Sequence, residues 1–288
     1  MGLNAGWDSA AEIHPEMTIV YSSAIRPSNP EFAAGKAAGC RFMHRSQALA
    51  LAAADRKFVA VAGAHGKTTT SGMIAQTFSQ LGADPSFAVG GVVTHYQTGA
   101  HLGTGEYFIA EADESDGSFL NYRPQLAIIT NIEADHLDNY GSSEQFARAF
   151  FDFAHCIEPG GTLILCTDDP GCRTLLKQLR PQGDLDESCS PKIRILGYGL
   201  QAPPAGLDDF CLVKPLLAEP NSVSAQFNRG QETTTVSLPM PGEHNLLNAA
   251  AVFLRARIAG FSATETAGAL AEFEGTARRF ETKGEVAG

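Results

Sequence analysis

Short apolar runs alternate with amphipathic stretches through most of the chain. Five runs read as buried strands, at 57–63, 106–113, 125–132, 161–169 and 192–199. Helical periodicity lies between several of them, for example at 143–157 and 170–180. Strands that alternate with helices predict an α/β fold with a mostly parallel sheet flanked by helices.

The pattern changes at both ends of this region. Before it, residues 17–25 predict a strand, and 29–39 and 45–55 predict helices. After it, residues 209–239 form three extended runs with a turn at 228–230, which predicts a small antiparallel patch. Residues 243–273 predict two further helices.

Composition and charge argue against some classes of binding partner. The chain has 288 residues, of which 44% are hydrophobic and 18% charged, with a formal net charge of −11. This charge argues against nucleic acid or an anionic membrane as a partner, although a nucleotide needs only a local positive site. No apolar run approaches the length of about 18 residues that a membrane span requires, and the N-terminus does not resemble a signal peptide. The six cysteines lack C-x-x-C or zinc spacing, which favours reduced thiols in a cytoplasmic protein.

The stretch "GAHGKTTT" at 63–70 carries the first candidate chemistry. It follows a predicted strand and opens a predicted helix at Lys67, so unpaired backbone N–H groups would face a polyphosphate. Lys67 would add a positive charge, and the hydroxyl of Thr68 or Thr69 could bind Mg²⁺. The common phosphate-loop spacing G-x-x-x-x-G-K-[ST] would require glycine where Val61 stands, which argues against a generic P-loop NTPase.

Two polar clusters follow later predicted strands. The first, 111–119, contains four acids in six residues, including Glu111 and Glu114, and such a group repels itself unless a cation is present. The second, 130–141, contains His136, which would serve either as a metal ligand or as a structural histidine. Ligands of open α/β sheets bind beyond the carboxyl ends of strands, so both clusters are candidate Mg²⁺ sites.

Two more segments have a functional and a structural interpretation. His244 and Asn245 stand where a helix begins, either as ligand contacts or as a helix cap. Arg278 and Arg279 could bind phosphate bidentately, or could be an ordinary surface pair.

These five segments, in this order, resemble the Mur ligases of peptidoglycan synthesis. In that family the nucleotide loop has the form G-x-x-G-K-T-[TS], which the late glycine of this chain matches. The segments "EADESDGSFL" and "TNIEADHLDNYG" are similar to those of the member that adds the first amino acid. Ser115 stands where the murein-tripeptide ligase typically has tyrosine, and residues 137–155 lack the lysine that several other members carbamylate.

The resemblance implies an ATP-dependent, ADP-forming ligase that joins L-alanine to UDP-N-acetylmuramate through an acyl phosphate. Lys67, Glu111 and His136 would be the catalytic residues, and Thr68, Glu111 and His136 would hold Mg²⁺, with Glu111 or Glu114 left open as the carboxylate ligand. The nucleotide would contact a larger set of residues, namely Gly63, His65, Gly66, Lys67, Thr68, Thr69, His244, Asn245 and Arg279 or its neighbour Arg278. Ser22 and Ser23 resemble the family segment near the UDP-sugar.

The resemblance also predicts the domain organisation. Residues 1–50 would be the last part of a Rossmann-like UDP-binding domain, and 51–288 the central ATP-binding domain. The family's first glycine-rich turn and its third domain are both expected but not found in the sequence. The alternative to the ligase is therefore an isolated module that binds nucleotide and Mg²⁺ without ligase turnover.

Overall fold

The computed structural model describes residues 12–133, 140–180 and 192–277. The chain divides into two compact units, Met1–Asp55 and Arg56–Gly288. Within the described parts of the chain, no helix is both long and apolar enough to cross a membrane.

The first unit is a short β-α-β-α segment. It contains strand β1 (Thr18–Tyr21), helix α1 (Pro30–Ala38), strand β2 (Arg41–His44) and helix α2 (Arg45–Ala52), and the two strands pair in parallel. Asn29 caps α1 by accepting hydrogen bonds from the N–H groups of the next turn, at 3.0 and 3.1 Å. The predicted strand and both predicted helices are confirmed, whereas β2 was not foreseen.

The second unit is built on one large sheet. Its strands are β3 (Lys57–Ala62), β4 (Ser86–Val93), β5 (Thr98–His101), β6 (Tyr107–Glu111), β7 (Leu126–Ile129), β8 (Thr162–Cys166), β9 (Arg194–Gly199), β10 (Asp209–Glu219), β11 (Ser222–Arg229), β12 (Glu232–Leu238) and β13 (Thr276–Ala277). Among the described residues the order is β12-β11-β10-β9-β8-β7-β3-β6-β4-β13, and β5 pairs with β4.

Strands β10 to β4 in this order run parallel, and antiparallel strands lie at both margins. The predicted mostly parallel α/β fold is confirmed. The predicted antiparallel patch of β10 to β12 exists, and it extends the main sheet through the parallel pairing of β10 with β9.

Helices cover the sheet in two groups. Helices α3 (Lys67–Gln80), α6 (Glu243–Ile258) and α7 (Ala263–Ala271) pack together, as do α4 (Ser143–His155) and α5 (Pro170–Leu179). The central strands β7 and β8 are buried at every position, which explains their continuous apolar runs. The carboxyl ends of β3, β6 and β7 therefore lie side by side, since these strands are parallel neighbours.

Candidate functional site

A four-residue loop joins the central strand β3 to helix α3. Gly63 has φ of 130° and Gly66 has φ of 86°, both in the region that favours glycine. A Cβ on Gly63 would lie 2.2 Å from Thr130 Oγ1 and 2.9 Å from the backbone oxygen of Asn131. Glycine at position 63 is therefore required both by backbone conformation and by the close approach of the segment after β7.

Polar side chains after β7 hold this loop in place. Asn131 Oδ1 accepts a hydrogen bond from the N–H of His65 at 2.9 Å, and Asn131 Nδ2 donates to the His65 carbonyl at 2.8 Å. Thr130 Oγ1 donates to the same carbonyl at 2.6 Å. The His65 ring itself is largely exposed and lies 3.7 Å from a carboxylate oxygen of Glu133. The loop backbone is thus fixed from the neighbouring strand, while the imidazole remains accessible.

The N-terminus of α3 has no side-chain cap. Gly66 occupies the N-cap position, so no side chain accepts a hydrogen bond from the first N–H groups of the helix. These groups, together with the helix dipole, attract an anion. Of the two threonines that follow Lys67, Thr68 is half-buried and Thr69 is buried. The loop and the helix end therefore form a cradle suited to phosphate groups.

Lys67 pairs with one acid of the 111–119 cluster. Its Nζ donates to Glu114 Oε1 at 2.8 Å and to the Gly63 carbonyl at 2.5 Å. Glu114 is 1% exposed, and its Oε2 has no hydrogen-bond partner among the described residues. Burial raises the pKa of the Glu114 carboxyl, and the charge and hydrogen bond of Lys67 oppose this rise.

Tyr140 supports the same segment. Its hydroxyl donates a hydrogen bond to the backbone carbonyl of Glu114. Burial, followed by the negative charges of Glu114, Asp116 and Asp113, raises the pKa of Tyr140 to about 12. The phenol therefore stays protonated and continues to donate throughout the physiological pH range.

Glu111 occupies a different position from Glu114. It ends strand β6, and its Oε1 accepts a hydrogen bond from the N–H of Gly90 in β4 at 2.7 Å. A Cβ on the next residue, Gly91, would lie 2.8 Å from the Thr68 methyl group. Adjacent glycines of β4 thus face the two side chains that the resemblance nominates as Mg²⁺ ligands.

The start of α6 also reaches the loop. His244 is exposed, whereas Asn245 is buried and donates from Nδ2 to the Pro241 carbonyl at 2.6 Å. One turn later, Asn248 Oδ1 would lie 2.9 Å from a Cβ on Gly66. The structure therefore brings the 241–250 segment to the phosphate cradle through Asn248, while the Asn245 side chain bonds its own helix start.

The oxygen-rich chemistry of this region fits Mg²⁺ and a polyphosphate. The donor atoms are carboxylate and hydroxyl oxygens, which Mg²⁺ prefers, and the unpartnered Glu114 Oε2 lies in the same region. Among the described residues, no group of three or more His, Cys, Asp and Glu side chains is arranged to hold a metal ion. Two predicted site residues, His136 and Arg279, lie outside the described residues, as does Arg278.

Several residues of the site were not singled out as site residues from the sequence. Thr130 donates a hydrogen bond to the loop, Asn248 lies close to Gly66, and the N–H of Gly90 binds Glu111. A glycine pair inside a strand pattern is a signal of close approach by another group, and it was available in "AVGGVV". The other contacts join distant parts of the chain and leave no local pattern.

A glycine loop between a central parallel strand and a helix, with acids at the neighbouring strand ends, is typical of α/β proteins that bind phosphate groups. The family model described as "Mur ligase middle domain" matches residues 61–256, and "Mur ligase family, catalytic domain" matches residues 4–57. The chain belongs to the Mur ligase family.

Individual relatives agree with this assignment. A UDP-N-acetylmuramate–L-alanine ligase of Renibacterium salmoninarum is 45% identical over 271 residues, which cover 94% of this chain and 55% of that protein. The crystal structure of UDP-N-acetylmuramate-alanine ligase MurC from Thermotoga maritima aligns with a TM-score of 0.73 and 26% identity, covering 91% of this chain and 56% of that one. The chain thus spans little more than half the length of these relatives.

A more distant structure shares the fold. The MurF ligase from Thermotoga maritima, solved in complex with ADP, aligns with a TM-score of 0.61 and 17% identity, covering 90% of this chain and 64% of that one.

Proposed function

We propose that this chain supplies the nucleotide-binding part of an ATP-dependent, ADP-forming ligase that joins L-alanine to the carboxylate of UDP-N-acetylmuramate in peptidoglycan synthesis. The observation that carries the proposal is the uncapped N-terminus of α3, with Lys67 at its first position and a buried carboxylate 2.8 Å from its Nζ. The names of the relatives at 45% and 26% identity support the substrates. These names favour a ligase over a module that binds nucleotide without ligase turnover.

The chemistry needs charge to be neutralised around a transferring phosphoryl group. In the proposed reaction the muramyl carboxylate attacks the γ-phosphorus of ATP, ADP leaves, and the alanine amine then displaces phosphate from the acyl phosphate. The N–H groups at the start of α3 would bind nucleotide phosphates. The MurF ligase that shares this fold at 17% identity was solved in complex with ADP. Lys67 would exchange its carbonyl contact for a phosphate oxygen and stabilise the transition state electrostatically.

From the resemblance, we assign the Mg²⁺ ligands among the described residues to Thr68 and Glu111. Glu111 lies beside Gly90 and the Thr68 methyl group beside Gly91, so both side chains border the glycine pair of β4. When bound, Mg²⁺ would offset phosphate charge in a region that already contains several carboxylates. His136 is proposed as a further metal ligand, and His244, Asn245 and Arg279 as nucleotide contacts, from the resemblance alone. Since ATP and UDP-linked sugars are cytoplasmic metabolites, the proposal includes a cytoplasmic location.

The first test is phosphate release in the presence of Mg-ATP, UDP-N-acetylmuramate and L-alanine, with each substrate omitted in turn. Release that requires all three substrates supports the ligase. Binding of Mg-ATP without substrate-dependent release would instead indicate a nucleotide-binding module.

A second test isolates the loop. Lys67→Ala should abolish Mg-ATP binding measured by calorimetry, because the cradle would lose its only cation from α3. Lys214→Ala is the matched control, since Lys214 is an exposed lysine on β10. Equal Mg-ATP affinity in wild type and Lys67→Ala would overturn the assignment of the loop.

A further inference from the structure

A second concave site lies at the amino ends of the parallel strands, whereas the phosphate cradle lies at their carboxyl ends. It has a volume of about 340 Å³ and is lined by the first residues of five neighbouring parallel strands, Lys57, Tyr107, Leu126, Thr162 and Arg194. Its remaining lining comes from residues that directly precede β6, β7 and β8 and from the end of α6. Lys57 and Ala62 are the two ends of β3, so this pocket and the phosphate cradle are separated by the length of that strand.

A buried arginine faces this pocket. Arg255 is 3% exposed and lines the pocket, and its Nε has no hydrogen-bond partner among the described residues. Its guanidinium carbon lies 4.6 Å from the ring centroid of Tyr107 and 5.0 Å from that of Phe78. Contact with two aromatic rings holds the guanidinium in place, and its Nε–H stays available as a donor. A cation that is costly to bury is therefore held beside the pocket with one donor, Nε, unpartnered among the described residues.

The remaining charges of the pocket do not balance Arg255. Among the described residues, the only acid that lines it is Glu106, which already pairs with Lys57 at 2.7 Å. Arg194 is an exposed third cation at the same rim. In the described part of the lining, Lys57, Arg194 and Arg255 outnumber Glu106 by two charges, in a chain whose net charge is −11. Such a local reversal of sign concentrates anions at the pocket.

We propose that this pocket binds a small organic phosphate monoester. The excess of two positive charges matches a phosphate dianion, and the planar fork of a guanidinium matches phosphate oxygens. Buried Leu126 and half-buried Ile258 form apolar wall on which the organic body of the ligand would rest. The site is independent of the proposed nucleotide site and would be a second place at which a metabolite acts on the protein.

Phenyl phosphate is the probe, and the methyl signals of Ile258 in a ¹³C-labelled protein are the readout. Titration should shift the Ile258 signals, whereas those of the buried core residue Ile128 should stay unchanged. Benzoate carries a single charge on the same ring and should bind about fivefold more weakly or worse. The titration is repeated in the double variant Lys67→Ala/Glu114→Gln, which leaves no buried carboxylate unpaired. Phosphate bound at the N-terminus of α3 would be lost in that variant, while binding at the pocket would persist.

Variants at the rim test the electrostatic argument without touching the core. Arg194→Glu should weaken phenyl phosphate binding about tenfold, since an exposed cation is reversed beside the ligand. Lys214→Glu makes the same change of charge on exposed β10 and should alter the affinity by less than about twofold. Arg255→Lys keeps the charge but loses the planar fork, and should also weaken binding if its melting temperature shows that it is folded.

Three outcomes would overturn the proposal. The first is the absence of any Ile258 shift at a phenyl phosphate concentration of tens of millimolar. The second is an affinity that Arg194→Glu leaves unchanged, and the third is a shift that disappears in a folded Lys67→Ala/Glu114→Gln variant. None of these results depends on whether the loop binds ATP, so failure here is distinguishable from failure of the proposed ligase function.

Discussion

Replacement of Lys67 by methionine should destabilise the protein through the carboxylate that the lysine leaves behind. Glu114 is 1% exposed, and in the described structure its Oε1 bonds Lys67 while its Oε2 has no partner. In Lys67→Met the carboxylate would be both buried and uncompensated. Removal of one partner of a buried ion pair typically costs about 3–5 kcal/mol of unfolding free energy.

Protonation sets an upper limit to this cost. Glu114 can escape the uncompensated charge by taking up a proton, which costs about 1.4 kcal/mol for each pH unit above its unfolded pKa of about 4.3. At pH 7 this limit is about 3.7 kcal/mol, so we expect the unfolding free energy of Lys67→Met to fall by about 3 kcal/mol and by no more than about 3.7 kcal/mol.

The sign of the pH dependence follows from the direction of the pKa shift. The folded-state pKa of Glu114 is raised by burial, and the loss of Lys67 should raise it further. The contribution of Glu114 to the unfolding free energy of Lys67→Met is therefore fully present below the unfolded pKa of about 4.3. It is lost as the pH rises through the raised folded-state pKa. Urea unfolding curves followed by circular dichroism, recorded at pH values about one unit apart between about 4.5 and 8, measure this loss of unfolding free energy.

A double-mutant cycle separates the ion pair from other effects. Glu114→Gln added to Lys67→Met should recover much of the lost stability and flatten its pH dependence, because no buried charge remains. Lys57→Met is the matched control: Lys57 makes an ion pair of similar length with Glu106, at 2.7 Å, but both side chains are about half exposed. That variant should lose less than about 1 kcal/mol. A loss in Lys67→Met that is independent of pH and of Glu114 would refute the reasoning.

Three further predictions concern the loop, the helices and the thiols. Asn131→Ala removes both side-chain hydrogen bonds to His65 and should weaken Mg-ATP binding about tenfold by calorimetry, with the fold retained by circular dichroism. Gly63→Ala should lower the melting temperature because its Cβ would collide with neighbouring atoms, whereas Gly268→Ala, in an exposed helical position with open space around it, should raise stability by about 0.5–1 kcal/mol. Among the described cysteines, half-buried Cys156 should react first with maleimide in the native state, and mass spectrometry of the labelled peptides checks the order.

The sequence predicted those elements whose pattern is local. The buried strands β3, β6, β7, β8 and β9 and the helices between them follow directly from apolar runs, periodicity and glycine stops. Strands β2, β4, β5 and β13 were missed. Strands β2 and β13 are short. Strand β4 contains the glycine pair 90–91, which interrupts the sequence pattern of a strand although the strand forms.

The candidate site was predictable in its residue types but not in its pairings. The order of the loop and the acidic cluster placed Lys67 and the acids at one edge of the sheet, because parallel strands bring their carboxyl ends together. Which acid faces Lys67 depends on the path of the chain after β6. In the structure Lys67 bonds Glu114, 47 positions away, whereas Glu111 accepts a hydrogen bond from Gly90. The contact of Asn248 with Gly66 depends on how α6 packs over the sheet, which no local pattern encodes.

The displaced glycine of the loop has a physical explanation in the register of β3. Val61, the position at which a common phosphate loop would carry glycine, is fully buried and pairs with Glu111 of β6 on one side and Ile128 of β7 on the other. Strand β3 continues to Ala62, and the loop therefore turns within only four residues before α3 begins at Lys67. A glycine at position 61 would weaken a central strand and leave a void between its neighbours. The shorter loop brings its backbone against Thr130 and Asn131, so the strand next to it, rather than a longer glycine-rich coil, holds the phosphate cradle in shape.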